Sequence, residues 1–113
     1  MPSAGDLVER VSFQRRQSVS DDYGNEHAAF QPVFERRAMF IMKPGSEAVL
    51  AARLEGRQPV TIIVRFDSET RDVTPDWRIV DLRSGKAYAV RAGEDMDRKR
   101  QWMSFVCEGG VAA

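Results

Sequence analysis

The sequence predicts a mainly β protein, a small antiparallel β-barrel or sandwich of about six strands with one short inserted α-helix. Most of its apolar segments alternate with a period of two, which is typical of half-buried strands. One segment alone has helical spacing of apolar residues. The chain has 113 residues, which suits one domain and is too short for two.

The N-terminal half contains two predicted strands. In Leu7–Gln17, Val11 and Phe13 face one side of the strand and the polar residues between them face the other. In Phe30–Lys43, one face carries an apolar set: Phe30, Phe34, Ala38, Phe40 and Met42. Met39 and Ile41 make the opposite face apolar as well, so the second half of this strand is expected to be covered on both sides.

A polar segment, Ser18–His27, separates these two strands. Gly24 and Asn25 tolerate positive φ, so the segment is predicted to form a turn or an exposed loop. It is either a plain hairpin tip or a finger that docks on a neighbouring protein through Asp22, Tyr23 and Asn25. His27 is expected to be an exposed polar residue rather than a metal ligand.

The inserted helix is predicted at Ser46–Glu55. Ser46 can serve as the N-cap, and Gly56 is a natural end. Leu50 and Leu54 share one face, so the helix either plugs one end of the barrel or contacts a neighbour through its polar face. Arg53 and Arg57 are either solvated, paired with acidic residues of another subunit, or close to DNA.

The C-terminal half contains four more predicted strands: Pro59–Phe66, Trp77–Leu82, Ala87–Val90 and Trp102–Glu108. Arg83–Lys86 reads as a hairpin turn between the second and third of them. Glu94–Arg100 is predicted to be a solvated loop or one helical turn, and its cations Arg98, Lys99 and Arg100 are candidates for an electrostatic contact.

Three C-terminal side chains are predicted to be buried, because each falls within a strand pattern. Trp77 and Trp102 should pack in the core, and Cys107 should behave as a small buried hydrophobe. The domain is expected to span residues 1–113, with flexible residues 1–6 and a loosely held tail at 109–113.

Acidic and basic residues balance in this chain, with 17 Lys and Arg against 17 Asp and Glu. A protein that coats nucleic acid or an acidic membrane needs an excess of positive charge, so a simple polycation is excluded. The basic doublets Arg15–Arg16 and Arg36–Arg37 lie among acidic residues. Any contact with DNA is therefore expected to be weak.

Residues for catalysis and metal binding are scarce. One His and one Cys are present, and the sequence lacks the GxxxxGK[ST], GxGxxG, HExxH and GxSxG patterns. We expect no enzymatic activity, no cofactor and no metal. No segment has the apolar run of a signal peptide or of a membrane span, so a cytoplasmic protein without a membrane partner is expected.

Several segments occur together in a specific order and spacing along nearly the whole chain: Ala4–Leu7, Arg10–Arg16, Asp22–Asn25, Gly45–Val60, Asp76–Arg78, Arg83–Tyr88 and Cys107–Ala113. Together they resemble the head–tail adaptor proteins of long-tailed bacteriophages, also called head-closure or head-tail joining proteins. The resemblance is greatest to versions from alphaproteobacterial prophages and gene transfer agents. The chain departs from that pattern at Glu94–Asp97 and at Phe34, where the family often has a proline-led turn and a tryptophan.

This resemblance implies a structural role and a small β-barrel with an inserted helix and long loops. It implies a ring of identical subunits, expected to be twelve-fold, that joins the portal side of a DNA-filled head to the tail and lines the DNA exit channel. The implied partners are the portal or a portal-bound adaptor, a tail terminator or other tail-side neck protein, and passing double-stranded DNA. Assembly would occur in the host bacterial cytoplasm, and the ring would then lie in the particle neck.

The alternative function is a small β-barrel module that binds nucleic acid. Such a module needs a basic groove with exposed aromatic side chains. In this sequence the aromatic residues fall mainly at inward-facing positions, which favours the structural role.

Overall fold

The computed structural model describes residues 3–20, 23–24, 26–42 and 58–109. These residues form six strands: β1 Glu9–Ser20, β2 Glu26–Ile41, β3 Gln58–Arg65, β4 Arg78–Asp81, β5 Ala87–Asp95 and β6 Trp102–Gly109. They also form three single 3-10 turns: Ala4–Asp6, Thr70–Asp72 and Met96–Arg98. The predicted helix Ser46–Glu55 lies outside the described residues. Within the described ranges, no helix is long and apolar enough to cross a membrane.

The strands form one antiparallel sheet in the order β1-β2-β3-β6-β5-β4, and a ladder between β4 and β1 closes it. The predicted mainly β class is confirmed, and the closed barrel is the architecture found. Closure pairs the two strands that would otherwise be the edges of an open sheet. The β4–β5 turn follows the sequence prediction, with Gly85 at φ +78°.

Inward-facing side chains of the strands fill the barrel. At its centre, Phe13 stacks on Phe34 with ring centroids 4.7 Å apart and meets Phe105 edge-on at 5.6 Å. Trp77 and Cys107 belong to this core, as predicted. Burial raises the pKa of the Cys107 thiol to about 12, because the thiolate would lie in apolar surroundings.

A second, smaller apolar cluster covers the outside of the sheet. It is formed by Leu7, Ile63 and Trp102, with Met39, Ile41 and Met96 packed against them. Trp102 is therefore buried as predicted, although it lies in this outer cluster. The prediction that the end of β2 is covered on both faces is confirmed, because Phe40 packs on the main core and Met39 on the outer cluster.

A β-bulge interrupts the pairing of β1 with β2. Phe13 faces Phe34 but Gln14 faces Pro32, so Val33 is an extra residue on β2. Before and after Val33, residues that are an even number of positions apart therefore point to opposite faces of the sheet. The predicted common face of Phe30 and Phe34 is therefore wrong: Phe34 packs on the core, whereas Phe30 lies beneath arginine side chains outside it.

The predicted loop Ser18–His27 is mostly strand. β1 continues to Ser20 and β2 begins at Glu26, and the ladder between them reaches the Ser20–Glu26 pair. The polar composition is compatible with strand pairing because both faces of a two-stranded ribbon meet solvent. Gly24, at φ +81°, lies in the short turn that remains.

Gly93 is expected to resist substitution because it faces an aromatic ring at close range. A Cβ at this position would lie 2.7 and 2.8 Å from ring atoms of the buried Phe105. Gly93→Ala should therefore lower the free energy of unfolding by about 1–3 kcal/mol. Urea unfolding followed by tryptophan fluorescence measures the change. Gly5→Ala is the matched control, since its nearest contact would be at 3.9 Å, and equal stability of the two variants would contradict the prediction.

Cys107 is expected to be unreactive in the folded protein. It is fully buried and its pKa is raised to about 12, so at pH 8 the folded chain holds almost no accessible thiolate. A disulfide reagent that releases a coloured thiol should react at the rate of unfolding, and fully in denaturing urea. Rapid stoichiometric reaction without denaturant would show that the thiol is accessible.

Candidate assembly interface

Beyond the barrel, β1 and β2 continue as a two-stranded arm. The ladder between β1 and β4 ends at the Gln14–Arg78 pair, and that between β2 and β3 covers Ala38–Ile41. The β1–β2 ladder continues to Ser20 and Glu26. We define the arm as residues 15–20 of β1 and 26–31 of β2. A two-stranded ribbon is only marginally stable in water by itself, so an arm of this kind gains from a contact.

The turn of the arm holds the first group of predicted interface residues. Tyr23 is 90% exposed there, which is unusual for a large aromatic side chain. Asp22 and Asn25, predicted beside it, lie outside the described residues, as do Arg53 and Arg57. Their role as contacts remains a prediction.

The loop between β5 and β6 holds the second predicted group. Arg98, Lys99 and Arg100 are all exposed. Arg98 and Arg100 have φ of 56° and 57°, in the left-handed region that such residues rarely adopt. The Asp95 carboxylate accepts hydrogen bonds from the backbone N–H of Arg100 at 2.9 and 3.1 Å, which holds this conformation. None of the three cationic side chains has an ion pair with a described side chain.

Both groups belong to connections at the same end of the barrel. The sheet is antiparallel throughout, so the β1–β2, β3–β4 and β5–β6 connections emerge together. We call this the arm end. The exposed Tyr23 and the β5–β6 loop, with Arg98, Lys99 and Arg100, therefore lie at the same end of the molecule. The β3–β4 connection emerges at this end as well.

An arginine of β2 fastens the β3–β4 connection to the barrel. Arg36 Nε donates to Asp67 at 2.9 Å and its Nη2 donates to Glu69 at 2.7 Å. The Asp67 carboxylate also accepts the backbone N–H groups of Glu69 and Thr70, each at 2.8 Å. Asp67 thus bonds both the backbone at the start of the Thr70–Asp72 turn and the Arg36 side chain of β2.

This network shifts the titration of both partners. Hydrogen bonding to Asp67 is the main reason that the pKa of Arg36 is raised. For Asp67, burial opposes ionisation, but hydrogen bonds from Arg36, Thr70 and Glu69 outweigh it and lower the pKa below its usual value of 3.8. Arg36 and Asp67 are therefore a charged pair at neutral pH.

Other arginines at the base of the arm stack on aromatic rings. The guanidinium of Arg78 lies 4.4 Å and that of Arg16 5.0 Å from the ring centroid of Phe30. Arg15 lies 5.4 Å from the ring of Trp77. Sequence reasoning recorded the Arg15–Arg16 doublet but missed these contacts, because the bulge at Val33 places Phe30 on the outer face.

The described part of the chain holds no cluster of possible metal ligands. None of its His, Cys, Asp and Glu side chains form a group of three or more that could hold a metal ion. What the arm end offers is an exposed aromatic tip, a cationic loop and stacked guanidinium groups. These features suit binding to another macromolecule.

The chain belongs to the phage head completion protein family, whose model matches residues 2–110. This confirms the resemblance to phage head-joining proteins seen in the sequence. A structural protein of the head side of a phage-like particle is therefore the class to which the chain belongs. No curated protein matches the sequence.

Two solved structures share the fold. Protein SF1141 from Shigella flexneri 2a, determined in solution, superposes with a TM-score of 0.68 at 19% identity, covering 99% of this chain and 100% of its own. A chain from the virion of a native gene transfer agent particle superposes with a TM-score of 0.60, also at 19% identity, covering 92% of this chain and 94% of its own. At this identity the likeness shows a common fold.

Asp67→Asn is expected to lower the free energy of unfolding at neutral pH by about 1–2 kcal/mol, allowing for partial exposure of the pair. The folded-state pKa of Asp67 is lowered, so its contribution is present above the unfolded-state value of 3.8 and is lost as pH falls through the lower, folded-state pKa. Urea unfolding of both proteins from about pH 7 to pH 3 measures this. The difference in free energy of unfolding between wild type and Asp67→Asn should disappear at acid pH.

The matched control is Asp72→Asn, because Asp72 is 75% exposed in a long ion pair of 3.9 Å with Arg71. Asp72→Asn should change the free energy of unfolding by no more than about 0.5 kcal/mol at every pH. If the free energies of unfolding of wild type and Asp67→Asn differed by the same amount across the whole pH range, the charged-pair role of Asp67 would be contradicted.

Proposed function

We propose that copies of this chain form a ring that joins the portal side of a DNA-filled head to the tail and lines the DNA exit channel. The observation that carries the proposal is membership in the head completion family over residues 2–110. The shared fold with a chain of a gene transfer agent virion supports it. The ring would assemble in the bacterial cytoplasm and remain in the neck of the particle.

The arm end supplies surfaces that such a ring requires. Subunits in a closed ring meet through two different, complementary patches. The arm projects from the barrel and carries the 90% exposed Tyr23 at its turn, so it can reach a neighbour. Arg98, Lys99 and Arg100 offer cations that can pair with an acidic patch or meet passing DNA. Asp22, Asn25, Arg53 and Arg57 are proposed as further contacts.

The partners follow from this position in the particle. The ring would contact the portal or a portal-bound adaptor on one side and a tail terminator or other tail-side neck protein on the other. A neutral net charge limits repulsion between the many copies. The expected contact with double-stranded DNA is weak.

Deletion of the gene should give DNA-packaging heads without attached tails, as seen by electron microscopy of purified particles. Substituting Arg98, Lys99 and Arg100 together by Gln should reduce the number of tailed particles severalfold if the cationic loop is a contact. Lys86→Gln, at the opposite end of the barrel, is the matched control. Normal tailed, DNA-retaining particles from the deletion would refute the ring.

A nucleic-acid-binding module is the second candidate, and the cationic loop is the observation that favours it. Fluorescence anisotropy with a short labelled single strand at two salt concentrations separates the two functions. The ring predicts weak binding by the isolated chain. Tight binding that falls steeply with salt would favour the module.

A further inference from the structure

Arg37 on β2 carries a charge that the described part of the chain does not neutralise. The next two residues, Ala38 and Met39, pack on the core and on the outer cluster, so Arg37 points to the outer face of the barrel. No described residue forms a hydrogen bond, an ion pair or a ring contact with its guanidinium group. The other arginines of the strands pair with a carboxylate, as Arg10 does with Glu35 at 3.9 Å, or stack on an aromatic ring.

Arg37 lies on a surface that combines positive charge with an exposed apolar side chain. Arg10 is its direct partner across β1 and β2, and like charges at opposed positions repel each other. Both arginines and Val8, which is 78% exposed, line a cleft of about 350 Å³. Glu9 lines this cleft too, but its carboxylate pairs with Arg83 at 3.1 Å. We call Val8, Arg10 and Arg37 the basic surface, and Arg37 is its unneutralised cation.

Glu94 on β5 has the opposite property. Gly93 faces inward against the ring of Phe105, so the side chain of Glu94 points to the outer face. Glu94 is exposed, and it is the one carboxylate among the described side chains that has no hydrogen bond or ion pair there. On the same face, Ala92 pairs with Val106, which is 46% exposed. We call Ala92, Glu94 and Val106 the acidic surface.

The topology places these two surfaces on opposite walls of the barrel. In the closed order β1-β2-β3-β6-β5-β4, two strands lie between β2 and β5 in either direction. Arg37 and Glu94 of one chain therefore cannot pair with each other, but those of two chains can. Subunits of a closed ring meet through two different patches, whereas a symmetric dimer uses one patch twice. Complementary surfaces on opposite walls thus suit a ring.

We propose that the basic surface of one subunit contacts the acidic surface of the next, with Arg37 paired to Glu94 and Val8 packed near Val106. The occupant of each surface is a second copy of this chain. The proposal rests on the proposed ring, and it names the strands through which adjacent subunits meet: β1 and β2 of one, β5 and β6 of the next. DNA suits the basic surface less well, because duplex binding uses several phosphates and Arg37 is one unneutralised cation.

Charge reversal with rescue tests the pair. Arg37→Glu and Glu94→Arg should each lower the number of tailed particles in electron micrographs at least about fivefold, because like charges would meet across the interface. The two substitutions combined should restore most of the tailed particles, since the pair forms again with reversed polarity. Lys86→Glu, in the β4–β5 turn, is the matched reversal. It should have no effect alone and should not rescue Glu94→Arg.

The variants should fold normally, which separates an assembly defect from loss of structure. Arg37→Glu places a carboxylate opposite Arg10, so it removes a like-charge pair within the sheet. Thermal unfolding of purified Arg37→Glu, Glu94→Arg and wild-type chains should therefore give Tm values within about 4 °C, which corresponds to less than about 1 kcal/mol.

Cross-linking gives a second readout that does not depend on tail attachment. Particles carrying Arg37→Cys together with Glu94→Cys should give a ladder of covalent dimers, trimers and larger species with a short bismaleimide, because each subunit would be joined to two neighbours. Neither single variant should give a ladder, since the native Cys107 is buried. Glu94→Cys together with Lys86→Cys is the control pair.

The proposal would be overturned if the combined reversal assembled no better than the single variants, or if particles containing the double-cysteine chain gave no more ladder than the control pair. Equal losses with Arg37→Gln and Arg37→Glu, without rescue, would also overturn it and would indicate DNA or another neck protein as the partner. If deletion of the gene removes tails but the reversal gives no rescue, the ring stands and this pairing fails. If deletion leaves normal tailed particles, both fail.

Discussion

The ladder between β1 and β4 is the constraint on which the rest of the molecule depends. It runs from Val11 to Gln14 and turns a curved sheet into a closed one. Within it, Phe13 pairs with Ile79 inside the barrel, so closure and core formation are the same event. The ladder also ends at Gln14, and β1 continues with β2 from that point as the arm. The position of this one pairing therefore sets where the barrel stops and the arm begins.

The alternation of apolar and polar residues along a strand is a local property of the sequence. It was sufficient to predict the strands and the burial of Trp77. Two features were beyond such reasoning because they depend on partners distant in sequence. The bulge at Val33 is visible only when β1 and β2 are paired, and it moved Phe30 from the expected core to the outer face. The hydrogen bond between Arg36 and Asp67 joins residues 31 positions apart, and no spacing pattern indicates it.

The zero net charge conceals two different uses of arginine. Arg36 is neutralised by Asp67 and Glu69, and it fixes the backbone of a connecting segment. Arg78 lies over the ring of Phe30 and donates from Nε to Gln14, and its terminal nitrogens bond no acceptor among the described residues. Counting charges treats both kinds alike. The guanidinium of Arg36 also lies over a ring, that of Phe34, so the two arginines differ in the acceptors that their N–H groups bond.

The closing ladder also bears on the order in which the chain folds. The β1–β2 hairpin joins strands that are neighbours in sequence, so its contacts form at little loop-closure cost. The Gln14–Arg78 contact spans 64 residues and can form only after the intervening strands have been brought together. We therefore expect barrel closure to be a late step in folding, after formation of the hairpin that includes the arm. A nascent or partly folded chain would already present its arm while the edges of β1 and β4 were still unpaired.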